Sequence, residues 1–444
     1  MRFLTVLPLL LAACAAGGNH AGDDTGDDDG GVPSGDGGVP SGDGGGPRPD
    51  GGGGGTDGGG GGTDGGGTVC SGGLGPWTGN DNVAPSASPP CGLQPSQVPQ
   101  FVSLGFDDNA YSGLDGSGGT GGMTWATNMA RSRTNADGSP VHLSFYMTTI
   151  YMDQWQSESP TFVKRAWRQA LVDGHEIGNH TQGHLHGGMF PLLQWRAEMQ
   201  SCINSLTRPF DPNEVNFSPD PTKGIGASAG DIVGFRTPFL EYNDATLQAA
   251  KELGFRYDCS IEDGYQWQQN GTDYLWPYTL DNGSPGHEVL VGWGSRQPIN
   301  PRPGLWELPV HPVIVPPDDK CAMYGVAPGL RARLQQRQSW FDVQGGKITG
   351  FDYNLWVSFA MTKAEFVATL KYTLDQRLAG NRAPFMFGTH TDYYSSKYTA
   401  VPNATLLERQ QAIEEFIDYA RAKPMVRVKS NKEILEWVRN PVAL

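Results

Sequence analysis

Four histidines fall within twelve positions of the stretch GHEIGNHTQGHLHG, residues 174–187: His175, His180, His184 and His186. His180 and His184 flank Thr181-Gln182-Gly183, and a four-residue step on a helical turn or tight loop can bring two imidazoles to one metal ion. Upstream, the apolar run FVSLGF (101–106) ends in Asp107-Asp108. Adjacent aspartates commonly make a turn or cap a helix, but at the end of a buried strand two neighbouring carboxylates cannot both stay ionised cheaply. A metal or an arginine resolves that conflict. Two imidazoles and one carboxylate leave open positions on a divalent ion, as hydrolysis requires, and the second carboxylate can serve as base toward water. Two nitrogens and one oxygen suit zinc, with cobalt or nickel as competitors. His175 is expected to start a strand and pack, and His186 to face solvent or the rim of the site.

These residues need elements that bring them together. Strand candidates are 101–106, 141–148, 176–180, 231–238, 257–261, 305–313, 385–391 and 425–430, mostly continuous apolar runs of the kind buried on both faces. Ser159-Pro160 signals a helix start, and Thr362 with Glu365 and Ser430 with Glu433 have capping-box spacing ahead of apolar positions. The alternation predicts an α/β fold of barrel type, with the Trp-, Gly- and Pro-rich residues 262–360 as inserted loops. In such barrels chemistry collects at the C-terminal ends of the strands. Asp107 and Asp108, His180, Arg236 and His390 sit at four such ends, and that convergence is the main functional signal.

The remainder of the 444 residues sets the context. The chain opens MRFLTVLPLLLAACAAGG, a short export signal too brief to span a membrane. Its Leu-Ala-Ala-Cys ending at Cys14 resembles a bacterial lipobox, which implies cleavage after residue 13 and a lipid on Cys14. Ala15 after that cysteine favours the outer membrane. Residues 14–68 are nearly all Gly, Asp, Pro and Ser, with ten Asp and one Arg, and are expected to be a disordered tether. Residues 69–444 are then the catalytic domain, in the cell envelope or secreted. The formal net charge of −15 and the lack of a basic cluster argue against nucleic acid as a partner; the only membrane contact expected is through the lipid, and a monomer is expected. An exported chain permits disulfides. Of Cys70, Cys91, Cys202, Cys259 and Cys321, the pairs Cys70 with Cys91 and Cys259 with Cys321 are expected.

GFDD at 105–108, HTQGH at 180–184, RTPF at 236–239 and the histidine of FGTH at 387–390 resemble, in order, the motifs of polysaccharide deacetylases, carbohydrate esterase family 4. The resemblance runs from about residue 100 to 437. DIVGFRTPFL, ELGFRYDCSI, LWPYTLDNG and GLWELPV look like the branch that contains animal chitin deacetylases. The family implies a distorted (β/α) barrel and metal-dependent, usually zinc-dependent, hydrolysis of acetyl groups on a polysaccharide. Carried over, Asp108, His180 and His184 would hold the metal, Asp107 would be the general base, and Arg236 would keep it ionised. His390 would be the general acid, and the backbone N–H of Phe239 would bind the oxyanion. Asp258, or Asp263 nearby, is the candidate for orienting His390, and Thr181 for orienting a ligand histidine. Trp267, Trp276, Trp306 and Tyr393 are candidates for a sugar-stacking groove. Two departures stand out: Gly105 where the family commonly has Thr, and Thr389 where an apolar residue usually precedes the last histidine. The implied activity is removal of N-acetyl groups from a polymer containing N-acetylglucosamine, chitin-like or peptidoglycan-like. The alternatives are an O-acetyl esterase and a non-catalytic glycan-binding lipoprotein; the latter would predict damage to one of Asp107, Asp108, His180, His184 or His390, and all five are present.

Overall fold

The run QFVSLGFD is buried at every position and forms β1, Gln100–Asp107. A strand buried on both faces needs parallel neighbours whose crossovers cover it, and it has them. In the computed structural model, which describes residues 73–116 and 120–444, there follow β2 (Ser144–Met147), β3 (Glu176–Asn179), β4 (Gly234–Phe235), β5 (Tyr257–Asp258), β6 (Tyr278–Thr279), β7 (Trp306–Glu307), β8 (Pro312–Ile314), β9 (Lys347–Thr349), β10 (Phe385–His390) and β11 (Val426–Val428). The main sheet runs β10-β1-β2-β3-β4-β5-β7-β6, with β11 also beside β1. All its pairings are parallel except β6 with β7. β8 and β9 pair separately and antiparallel. Parallel bridges from Glu262 to Val310 and from Phe351 to Gly388 tie the chain around that pair to the extension of β5 and to β10. The ring thus closes through short irregular segments, and the fold is an α/β distorted (β/α) barrel with loop insertions.

Local signals explain most of the elements. The helix Pro160–Val172 begins as expected after Ser159, although the Ser159 hydroxyl accepts from Phe217 N instead of capping. Both predicted capping boxes form, ahead of helices Lys363–Ala379 and Asn431–Arg439. The expected strand 305–313 splits into β7 and β8 on either side of Pro309, which lacks the N–H that a ladder needs, while Pro312 opens β8, a strand position where proline is tolerated. Residues 262–360 are more than inserted loops: they supply β6 to β9 and the helices Pro285–Gly292 and Leu330–Arg337.

The barrel interior is filled across glycines. A Cβ on Gly178 would stand 2.5 Å from the Tyr146 ring, one on Gly234 2.2 Å from the Tyr257 hydroxyl, and one on Gly388 2.2 Å from the Phe351 ring. At Gly105 it would meet both terminal nitrogens of Arg236 at 3.1 Å and the Tyr146 ring at 3.2 Å. The absence of a side chain at 105 is what lets the Arg236 guanidinium lie over Tyr146, 4.4 Å from the ring centre. The Thr389 hydroxyl in turn donates to the Gly105 carbonyl at 3.3 Å, so the two departures from the family pattern face each other. Gly388→Ala is expected to destabilise the fold by about 1–3 kcal/mol through overpacking, read as a lower urea midpoint at unchanged slope.

Cys259 and Cys321 are not paired: both are free and buried, as is Cys202. The Cys259 thiol contacts the Phe235 carbonyl at 3.4 Å, and that of Cys321 contacts the Pro316 carbonyl at 3.7 Å, each in its own part of the fold. Cys91 is disulfide-bonded; its expected partner Cys70, like Cys14 and the tether, lies outside the described residues. Trp276 and Trp306 are core residues, with the Trp306 indole donating to Asp81 at 2.8 Å. Tyr393 is buried as well, which leaves Trp267 as the exposed member of that group.

Candidate active site

The parallel sheet delivers one functional group per strand end. The β1–β10 register places Asp107 opposite His390. His180 follows β3 directly and Arg236 follows β4. All four are buried.

Beyond β1 the chain turns sharply through Asp108 and Asn109, both in the left-handed region at φ 65° and 66°. Such a turn persists only where its surroundings over-determine it, and Asn109 supplies much of that. Its Nδ2 donates to the carbonyls of Phe106 and Tyr146, both at 3.0 Å. Its Oδ1 accepts from the Thr391 hydroxyl and its own carbonyl from the Trp167 indole. The His180–His184 loop is held comparably. Gly183 N donates to Glu198 at 2.8 Å, and Ile150 N to the Gln182 carbonyl at 2.8 Å. The Thr181 hydroxyl accepts from the backbone N–H of His184 at 3.2 Å. It therefore shapes the loop; the group against the His180 imidazole is the Arg236 carbonyl, 2.8 Å from Nδ1.

Among the described residues, one group of side chains could hold a metal ion: Asp108, His180 and His184, with ligand atoms all within 4.8 Å of one another. The donor set fits a divalent cation. The Nδ1–H of His180 is committed to Arg236, which leaves the Nε2 lone pair facing Asp108 Oδ1 at 3.7 Å. His184 Nε2 is buried without a hydrogen bond and lies 3.0 Å from the same oxygen. Burial pushes His180 down to about 3 and His184 below its ordinary value, so both are neutral, as ligands must be.

Asp107 Oδ1 accepts from Arg236 Nη1 at 2.9 Å. Burial raises its pKa to about 6, against the pull of Arg236. Arg236 also donates through Nε to the Cys259 carbonyl. Breaking a buried pair of this kind costs about 3–5 kcal/mol.

His390 Nδ1 lies 2.7 Å from Asp352 Oδ1, and the His390 backbone N–H donates to Asp352 Oδ2 at 3.0 Å. The orienting acid is therefore Asp352, neither Asp258 nor Asp263. Asp258 is occupied by Ser260 N and Oγ, and Asp263 by Gly264 N and Gln266. Asp352 sits within residues 262–360, the stretch expected to form inserted loops. Its local signature is nevertheless that of Asp107, an acid directly after a Phe at the end of a short β segment. Phe351 bridges to Gly388, and this carries Asp352 to His390.

Phe239 has φ 57°. Its ring packs edge-on to His184 at 4.6 Å and stacks on His186 at 3.9 Å, with His186 Nδ1 3.0 Å from Glu241. His175 packs, accepting from Leu143 N at 3.2 Å.

Residues 136–257 match the polysaccharide deacetylase family model. Over 365 residues the chain is 23% identical to chitin deacetylase 8 of Bombyx mori, covering 81% of this chain and 75% of that protein. Over 126 residues it is 28% identical to a chitooligosaccharide deacetylase of Azorhizobium caulinodans, covering 28% of this chain and 51% of that one. A polysaccharide deacetylase candidate from Mycobacterium smegmatis aligns in structure with a TM-score of 0.46 at 16% identity, over 81% of this chain and 95% of that one. With its motifs gathered at one end of the barrel and residues 136–257 matching the family model, the chain carries a polysaccharide deacetylase domain and is a deacetylase-type hydrolase.

Proposed function

We propose that the protein removes N-acetyl groups from an N-acetylglucosamine polymer, chitin-like or peptidoglycan-like, using one zinc ion held by Asp108, His180 and His184. The observation that carries this reading is the meeting of three units at one set of strand ends: the Asp107–Arg236 pair, the Asp108–His180–His184 cluster and the His390–Asp352 pair. The names of the two relatives, both deacetylases of chitin-type glycans, support the substrate class.

Zinc in that cluster supplies Lewis-acid polarisation of the acetyl carbonyl and of the attacking water. Asp107, kept ionised and aimed by Arg236, takes the proton of that water. The N–H of Phe239 donates to the oxygen on which negative charge develops. His390, oriented by Asp352, gives a proton to the departing nitrogen. In the cell the domain would be held at the envelope by a lipid on Cys14 and the Asp-rich tether of residues 14–68.

Acetate release from chitin oligomers by the purified protein, with zinc and then with chelator, is the test. Acetate that forms with zinc and stops with chelator is expected. A folded, zinc-loaded protein that releases acetate only from O-acetylated glycans would make it an esterase. One that binds no zinc would be left with glycan binding alone.

Trp267 follows the extension of β5 and is 93% exposed. Stacking there by a sugar ring is expected to make Trp267→Ala raise KM for long oligomers roughly 3- to 10-fold, with little change for the dimer.

A further inference from the structure

The turn that carries Phe239 is held from outside the four motifs. Phe239 and Leu240 are consecutive left-handed residues, φ 57° and 54°, a conformation that costs roughly 1–2 kcal/mol per residue for anything but glycine. The turn's own bonds are Leu240 N to Thr237 O at 3.2 Å and Glu241 N to Pro238 O at 3.0 Å. Arg296, which lies shortly after the helix Pro285–Gly292, adds a charged donor: its Nη2 reaches the Leu240 carbonyl at 2.8 Å. The same carbonyl accepts from Tyr242 N at 3.0 Å. The guanidinium lies 5.2 Å from the centre of the Tyr242 ring, and the Tyr242 hydroxyl is 2.8 Å from His287 Nδ1 on that helix. One face of the inserted segment thus grips the second of the two strained residues. Charge-assisted bonds are the stronger kind, and a displacement of about 1 Å in a catalytic group can cost 10²-fold in rate.

We propose that Arg296 is a positioning residue: by holding the Leu240 carbonyl it fixes the direction of the Phe239 N–H toward the developing oxyanion. This rests on the role of Phe239 under the proposed function. The inserted segment then belongs to the catalytic apparatus, although Arg296 touches no reacting atom.

The test compares wild type, Arg296→Met and Arg296→Lys in the full chain. Arg296→Met is expected to lower kcat on chitin tetramer about tenfold or more. KM should stay within about twofold, zinc content should be unchanged, and Arg296→Lys should recover part of the rate. Backbone hydrogen exchange over residues 237–243 should quicken in Arg296→Met. A wild-type kcat, a loss confined to KM or zinc content, or unchanged exchange over 237–243 overturns the proposal. If the wild type releases no acetate, the function reading fails on its own, and unchanged exchange would still show that Arg296 does not hold the turn.

Discussion

Asp107→Asn is expected to lower kcat for acetate release by about 10³-fold while the protein still takes up one zinc ion. The asparagine oxygen can keep the 2.9 Å bond from Arg236, so the side chain stays in place. What disappears is the negative charge that receives a proton. The Arg236 guanidinium, buried between Asp107 and the Tyr146 ring, loses its counter-charge, so the variant should also unfold at lower denaturant. Activity is therefore to be read under conditions where circular dichroism shows it folded. His184→Ala should behave differently, losing zinc and activity together, because it removes one of the three side chains proposed to hold the ion. Zinc content separates the two. A kcat within tenfold of wild type in folded, zinc-loaded Asp107→Asn would remove Asp107 as the base.

The second large effect is expected at Asp352. Asp352→Asn should reduce kcat on amide substrates by about 10²- to 10⁴-fold, since it weakens both the orientation of His390 and the stabilisation of its protonated ring. Both Asp352 oxygens are engaged, one by the imidazole Nδ1 at 2.7 Å and one by the His390 N–H at 3.0 Å, and the carboxylate is buried away from bulk solvent. The informative comparison is with an activated aryl acetate, whose leaving group needs no proton. There the loss should shrink to about tenfold or less. Equal losses on amide and aryl ester would mean that Asp352 serves the fold and not proton donation.

The sequence was most readable where one chemical signal acted locally. Capping boxes at Thr362 and Ser430 predicted helix starts because both partners lie three residues apart. Apolar runs ending in Asp107 or His390 predicted strand ends because burial and chain direction together decide what reaches the rim. Pairings between distant segments were less readable. Nothing near His390 points to Asp352, and nothing in the tryptophans separates Trp306, on a barrel strand, from Trp267, on an exposed loop. The expected pairing of Cys259 with Cys321 fails because separation in the chain carries no information about distance in space.

The order of the strands has a consequence for how the chain is made. β1 lies between β10 and β2, and β10 is translated only after Asp352 and the helix Lys363–Ala379. Until then one edge of a strand that ends up fully buried has no neighbour, a template for mispairing that grows with sequence separation. The residues proposed as base and metal ligands emerge early, whereas the proposed acid and its partner emerge late. Under those roles a nascent chain could gather a metal ion long before it could release an amine. The stretch that matches the family model, 136–257, contains neither β1 nor β10; expressed alone it would be a barrel wall without its keystone, exposing the surfaces those strands cover.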